Sequence, residues 1–497
     1  MENDDFRKHA HQFVDWMADY MDGVEDLPVR SQVKPGEIME KLPFKPPVNS
    51  ESMENIFEDF KKTILPGMTH WQHPNWFGFF PANVSGPSIL AEMLVTTMGA
   101  QCMIWETSPA ATELEIRVLD WLRQMIGLPE GFQGVIQDTA SSATFCAVIA
   151  AREKALKGKG NERGLAAEKK ALVIYASEEA HSSIEKAVLM AGLGRDNLRK
   201  IPILDDFSLS VDHLRLAIKE DRAAGRVPAG LIACLGTTSV GAVDPVVEMG
   251  KIALEENLYF HVDAAWAGSA LILPEYQHLI GTCKGVDSFV FNPHKWLLTN
   301  FDCTAHFVKN EEDLTSALSI LPEYLRTREG KDVRDYRDWG IQLGRRFRSL
   351  KLWFVLRSFG VEKLQGFIRK HISWANKLSK LVESQENFEL VTKPNFSLFT
   401  FRWMPITKIN QNMLPPKDKA KDDEVAIAEV LGETLDKVND QLLQAINDDG
   451  RIYLTRTVVA GRVAIRFSVG SQNTTEAHVM AAWDTIKEIA NNLEIGE

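Results

Sequence analysis

A lysine becomes a nucleophile when its ammonium gives up a proton, and burial at the end of an apolar strand lowers the pKa in that direction. Lys295 occupies such a place, because Asn292-Pro293-His294-Lys295-Trp296 follows directly on the apolar run SFVFN at 288–292. There its neutral amine would condense with an aldehyde to a Schiff base, whereas a lysine on an ordinary loop stays solvated. Asp263 stands 32 positions earlier in His261-Val262-Asp263-Ala264-Ala265-Trp266, again where a hydrophobic strand ends. A carboxylate in that position is costly unless it is paired. A cationic heterocycle is one possible partner; backbone amides or a helix start are others.

Three further stretches share this placement. Thr139-Ala140-Ser141-Ser142 lies between the strand-like GVIQ and the helical ATFCAVIAAREKAL. Small residues at a helix start leave backbone N–H groups and the helix dipole free for a phosphate, although a plain N-cap needs only one of them. His181, in SEEAHSS, is placed to stack on a flat ring and orient a substrate, or to serve structure alone. Gly236-Thr237-Thr238 and Gly241 let backbone approach a ligand closely, or make an ordinary tight turn. No G-x-G-x-x-G follows the first strand, and no G-x-x-x-x-G-K-[ST], H-E-x-x-H or Cys/His cluster occurs, so dinucleotides, nucleoside triphosphates and catalytic zinc lack their usual signatures. Lysine, acid and phosphate cup together fit pyridoxal 5'-phosphate, whose pyridine nitrogen Asp263 would keep cationic so that the ring accepts electrons.

The elements that must position these groups are legible as alternating runs. GVIQ (134–137), ALVIYA (171–176), GLIACLG (230–236), YFHVDAAW (259–266) and SFVFN (288–292) alternate with helical stretches from about residue 85 to 375. Near-continuous apolar strands separated by helices predict an α/β fold with a mostly parallel sheet covered on both faces, and ligands of such sheets collect at the carboxyl ends of the strands. Each run is followed by small, polar or ionisable residues. After about 376 the pattern changes to FELVTKPNFSLFTFRW, a polar insertion at 413–424, RIYLTRT, GRVAIRFSVG and a closing helix from about Thr475, which predicts a small α+β domain with antiparallel strands. At the start, Phe6, Ala10, Phe13, Met17 and Met21 recur at helical spacing. The Pro-rich stretch 27–50 predicts an extended connector.

Composition narrows the partners. A chain of 497 residues with 45% hydrophobic residues builds a large core, and 56 Lys and Arg against 68 Asp and Glu give a net charge of −12. Nothing in that balance attracts nucleic acid or an anionic membrane. Five scattered cysteines without a C-x-x-C pair argue against a disulfide framework. The acidic start and the lack of an apolar run near 20 residues predict a soluble, cytoplasmic protein.

The runs HVDAAWAGSA, FNPHKWLLTNFDC, SPAATELE, LGTTSVGAVDP and LGRRFRSLKLWFVLR resemble the aromatic-L-amino-acid decarboxylases of the group II decarboxylase family, and the likeness extends from HQFVDWMADYM to the final helix. The resemblance implies a pyridoxal-phosphate transferase fold of type I with a seven-stranded sheet. It divides the chain into an N-terminal helical arm (1–85), a large cofactor domain (86–375) and a small domain (376–497), working as a homodimer with shared active sites. Matched motif by motif, Lys295 would carry the cofactor, Asp263 face the pyridine nitrogen, His181 stack on the ring and Ala265 lie beneath it. Thr139, Ala140, Ser141 and Asn292 would hold the phosphate with His294 beside it, and Thr238 would lie near the substrate carboxylate.

By the same resemblance the substrate's aromatic side chain meets Trp71, Phe79, Phe80, Pro81 and the segment Gln101 to Met103. Tyr324 matches a loop tyrosine that returns a proton to the substrate carbon, and relatives that make aldehydes oxidatively tend to replace it or the stacking histidine. The presence of both Tyr324 and His181 implies an amine product. Gly344 matches a position where glycine accompanies indole- or catechol-accepting members, because a side chain there competes with the far ring of a bicyclic substrate. Histidine is thereby disfavoured against tryptophan, phenylalanine, tyrosine, DOPA and 5-hydroxytryptophan. Ala82, Phe79 and Gln101 depart from familiar residues of the family and bear on ring preference rather than on reaction type. The aldehyde synthase on the same scaffold is the alternative, and a silent binding protein is a third reading that Lys295, Asp263 and His181 oppose.

Overall fold

The computed structural model describes residues 1–320, 333–405 and 424–494, with backbone alone at 424–430; Tyr324 and nearly all of the insertion at 413–424 lie outside them. Two compact units emerge. One comprises residues 82–372 with 394–396, and the other residues 1–81, 373–393 and 397–497.

In the first unit the apolar runs pair into one seven-stranded sheet. The strands are β1 (Gln133–Gln137), β2 (Leu172–Ser177), β3 (Leu198–Ile201), β4 (Val227–Cys234), β5 (Tyr259–Asp263), β6 (Ser288–Phe291) and β7 (Thr304–Val308). Their order is β1-β7-β6-β5-β4-β2-β3. Neighbours from β6 to β3 are parallel. β7 is antiparallel to both β6 and β1. The first residue of β7 therefore reaches the same edge as the last residues of the others. Strands β2, β5, β6 and β7 are buried along their whole length, as continuous apolar runs require of a sheet covered on both faces. The helix Ala140–Leu156 lies against β4, β5 and β6. Ala143, Ala147, Ala150 and Ala151 are all buried and let it pack closely. Thr139 caps its start by accepting from Ser142 N–H at 3.3 Å.

The second unit contains a four-stranded antiparallel sheet of β8 (Phe388–Asn395), β9 (Leu398–Trp403), β10 (Thr455–Val459) and β11 (Arg462–Ser468), in the order β10-β11-β9-β8. Its core gathers Phe77, Phe399, Phe401, Trp403, Phe467 and Trp483, side chains whose full burial contributes about 1.5–3 kcal/mol each. The closing helix runs Glu476–Asn492 behind a capping box on Thr475. The N-terminal helix spans Asn3–Gly23, but its apolar face is only partly covered. Phe13 meets the ring of Phe57 at 4.5 Å, and Trp16 meets Phe57 and Phe60 at 5.8 and 5.2 Å. Phe6 and Met21 remain exposed. The Pro-rich connector holds one short helical turn, Glu37–Lys41.

Candidate active site

Five loops from the carboxyl ends of β1, β2, β4, β5 and β6 bring the expected cofactor residues to one edge of the sheet. Asp263 closes β5 and is buried. Burial pushes its carboxyl pKa up, against the opposing pull of the Lys295 ammonium, the Ala265 N–H and His181. Oδ1 accepts from Ala265 N–H at 3.1 Å. The other oxygen takes no hydrogen bond from any described residue. A buried acid left half-satisfied is ready for a cationic partner.

His181 begins the helix Ser182–Met190, and its Nδ1 accepts from Ser183 N–H at 3.2 Å. Burial holds the imidazole pKa below its ordinary range, with Asp263 pulling it up and Lys295 pushing it down. The neutral ring accordingly carries its proton on Nε2. Lys295 lies partly buried in the single helical turn Pro293–Trp296 after β6. Beside it, Nδ1 of buried His294 accepts from Cys303 N–H at 3.0 Å. Burial and then Lys295 lower the His294 pKa to about 3. His294 is therefore also neutral, with an Nε2–H to donate.

The phosphate cup takes shape around the start of helix Ala140–Leu156. The N–H groups of Ala140 and Ser141 meet no acceptor among the described residues, as the first turn of a helix provides. Asn292 is buried, and its Oδ1 accepts from the Thr304 hydroxyl at 2.8 Å, which leaves the Nδ2 amide as the donor. Ala265 packs against buried Ala140, Ala143 and Val290, so the acid-bearing and phosphate-cup loops touch. Thr238 is exposed in the turn after β4, where Gly236 has φ +89° and Thr237 Oγ1 accepts from Ala242 N–H. A half-satisfied acid, two free helix N–H groups, an amide donor and a lysine fit pyridoxal phosphate.

The expected substrate residues fall in two sets. Trp71, Phe79, Phe80 and Pro81 belong to the second unit. Trp71 and Phe79 are exposed and stack at 5.7 Å, while Phe80 and Pro81 are buried. Phe79 has φ +49° and donates its N–H to Thr455 Oγ1 at 3.2 Å. Gln101, Met103 and Gly344 belong to the first unit. Gln101 Oε1 accepts from Arg345 N–H at 2.6 Å, and its Nε2 lies 3.3 Å from where a Cβ on residue 344 would stand. The space at Gly344 is thus bounded by the Gln101 amide. Met103 O accepts from Arg337 N–H at 2.9 Å.

Several contributors escaped sequence reasoning. Thr304 orients Asn292 only because β7 runs antiparallel and starts at the active edge. Edge strand β1 is held by side chains in place of a neighbouring strand. Glu115 accepts from Ile136 N–H, Arg345 donates to Ile136 O, and the Tyr336 hydroxyl donates to Gly134 O. Arg345 also pairs with Glu115 at 2.7 Å, both buried. No local sequence signal marks these pairings, whose partners lie up to 230 residues apart.

This combination of sheet edge, lysine, buried acid and phosphate cup defines a pyridoxal-phosphate enzyme of fold type I. Residues 35–404 match the pyridoxal-dependent decarboxylase conserved domain, and the chain belongs to that family. It is 42% identical to a phenylacetaldehyde synthase of Arabidopsis thaliana over 99% of this chain and 97% of that protein. It is also 42% identical to tyrosine decarboxylase 2 of Narcissus pseudonarcissus, over 100% and 96%. The structure of Catharanthus roseus tryptophan decarboxylase in complex with L-tryptophan superposes with a TM-score of 0.88 at 41% identity, covering 99% of both chains.

Proposed function

We propose that this protein removes the carboxylate of aromatic L-amino acids such as tryptophan, phenylalanine, tyrosine, DOPA or 5-hydroxytryptophan, releasing the aromatic amine and carbon dioxide. The observation that carries the reading is the electrostatic grouping of Lys295, Asp263 and His181 at one sheet edge, together with relatives that act on aromatic amino acids.

Bound pyridoxal phosphate supplies an electron sink for the electrons left when the substrate's Cα–carboxylate bond breaks. The chain does the rest. Lys295 would hold the cofactor through its ε-amine and would release it to the substrate amine. Asp263 keeps the proton on the pyridine nitrogen, for which its incomplete hydrogen bonding suits it. Ala140 and Ser141 N–H groups, the Asn292 amide and the His294 Nε2–H anchor the phosphate end. His181 offers a neutral face to the ring and an Nε2–H toward the substrate. Tyr324, by its motif, returns the proton to Cα. These roles position groups around the bond to be broken, where effective alignment is worth most.

The second reading, oxidative conversion to an aromatic acetaldehyde, is favoured by the likeness to the Arabidopsis phenylacetaldehyde synthase. Offering purified protein and cofactor a mixture of aromatic amino acids, with products identified by mass and oxygen uptake followed, separates the two. Amine without oxygen uptake supports decarboxylation; aldehyde with peroxide and ammonia overturns it.

A homodimer is part of the proposal. Leu90, Met93, Leu94 and Met98 form one exposed apolar face of the helix Gly86–Met98, beside buried Ala91 and Val95. A cytoplasmic location is proposed as well. All five cysteines are free and buried, which suits a reducing compartment, and among the described residues no helix is long and apolar enough to cross a membrane.

A further inference from the structure

Fully buried polar side chains are expensive unless each has a hydrogen-bond partner. Asn83, Ser85 and Ser88 are all buried within six residues of one another, and all three bond to the loop that follows the cofactor lysine. Asn83 Nδ2 donates to Lys295 O at 2.7 Å. Ser85 Oγ donates to Leu298 O at 2.7 Å. Ser88 Oγ accepts from Asn300 N–H at 2.8 Å and donates to the Asn300 side-chain oxygen. The two segments thus run side by side with three rungs.

The loop needs such support. Lys295 lies in the last half of the one-turn helix Pro293–Trp296, where carbonyls have no partner inside the helix. Leu298 takes φ +54°, a left-handed conformation that a leucine adopts only where its surroundings enforce it. On the other side of the turn, Cys303 O accepts from His294 N–H at 3.3 Å and Cys303 N–H donates to His294 Nδ1 at 3.0 Å. The turn bearing Lys295 is therefore held from two directions, by residue 303 and by the segment 83–88.

We infer that Asn83 and Ser85 are positioning residues for Lys295: they fix its backbone so that the ε-amine meets the cofactor aldehyde at one angle. The inference rests on the reading of Lys295 as the cofactor-bearing lysine.

The test compares Asn83→Ala, Asn83→Asp, Ser85→Ala and Ser85→Thr with the native holoenzyme. Loss of one such hydrogen bond should lower kcat about tenfold while KM changes less than about twofold. The pH midpoint of the visible cofactor band should move by about half a unit or more. Ser85→Thr, which keeps the hydroxyl, should behave as native, and Asn83→Asp, which has no donor when ionised, should resemble Asn83→Ala. If the alanine variants lose only melting temperature and keep both kcat and the band's midpoint, the positioning role is refuted. Should Asn83→Ala fail to fold, the Ser85 pair decides by the same readouts. A native protein with no cofactor band and no turnover would instead overturn the proposed function, so the two failures are told apart.

Discussion

At the scale of single residues, charge and burial explain why each polar group stands where it does. Asp263 is the sharpest case, a buried acid whose elevated pKa marks the want of a cation. Replacing it by asparagine keeps the shape and removes the charge; kcat should fall at least about a hundredfold with the cofactor still bound, as steady-state kinetics beside cofactor titration would reveal. Retention of native kcat would exclude its role. The buried histidines predict an acid limb of stability. Burial lowers His294 to about 3 and His306 to about 4, while an unfolded chain protonates them near the ordinary 6.5. Below that pH the unfolded state binds more protons, so stability falls by roughly 1.4 kcal/mol per pH unit for each histidine until its folded pKa is reached. His306→Leu should therefore lessen the decline of the urea midpoint between about pH 6.5 and 4.5. An unchanged slope would show that His306 titrates normally in the fold.

At the scale of elements, the helix Ala140–Leu156 does two tasks, packing on the sheet with small residues and presenting its N-terminus to a phosphate. Ser141→Asp separates them. A negative charge in the first turn favours the helix by about 0.3–1 kcal/mol yet opposes a phosphate at the same place. The cofactor-free protein should melt no lower than native, while the cofactor dissociation constant rises roughly tenfold; unchanged affinity would remove the phosphate from this helix. Much of this element logic was readable in the sequence, because continuous apolar runs ending in Asp263 and Asn292 state both the strand and its active end. What could not be read is what depends on pairing. TAHFV carries no sign that β7 runs antiparallel, yet that direction alone brings Thr304 to Asn292. The link from Asn83 to Lys295 crosses 212 residues, and a hydrogen bond to a backbone carbonyl leaves no motif at either end. The N-terminal helix was legible as a helix, but spacing could not tell that Phe6 and Met21 would stay exposed.

At the scale of the whole molecule, the chain spends its core on two units and leaves the apolar face Leu90, Met93, Leu94 and Met98 uncovered. If that face joins two copies, Leu94→Asp should shift the sedimenting species from dimer toward monomer, and a variant that stays dimeric would place the interface elsewhere. Relatives that release amines and relatives that release aldehydes stand at equal identity to this chain, so overall likeness does not choose between products; the residues around the reacting carbon do. The roles proposed for Asp263, His181 and the phosphate cup require one covalent bond, between Lys295 and the cofactor. Reducing the pyridoxal-phosphate-loaded protein with borohydride and mapping the modified peptide by mass tests it most directly. The expected result is a single pyridoxyl group on Lys295, and a label on another lysine, or none despite an intact cofactor band, would contradict the account.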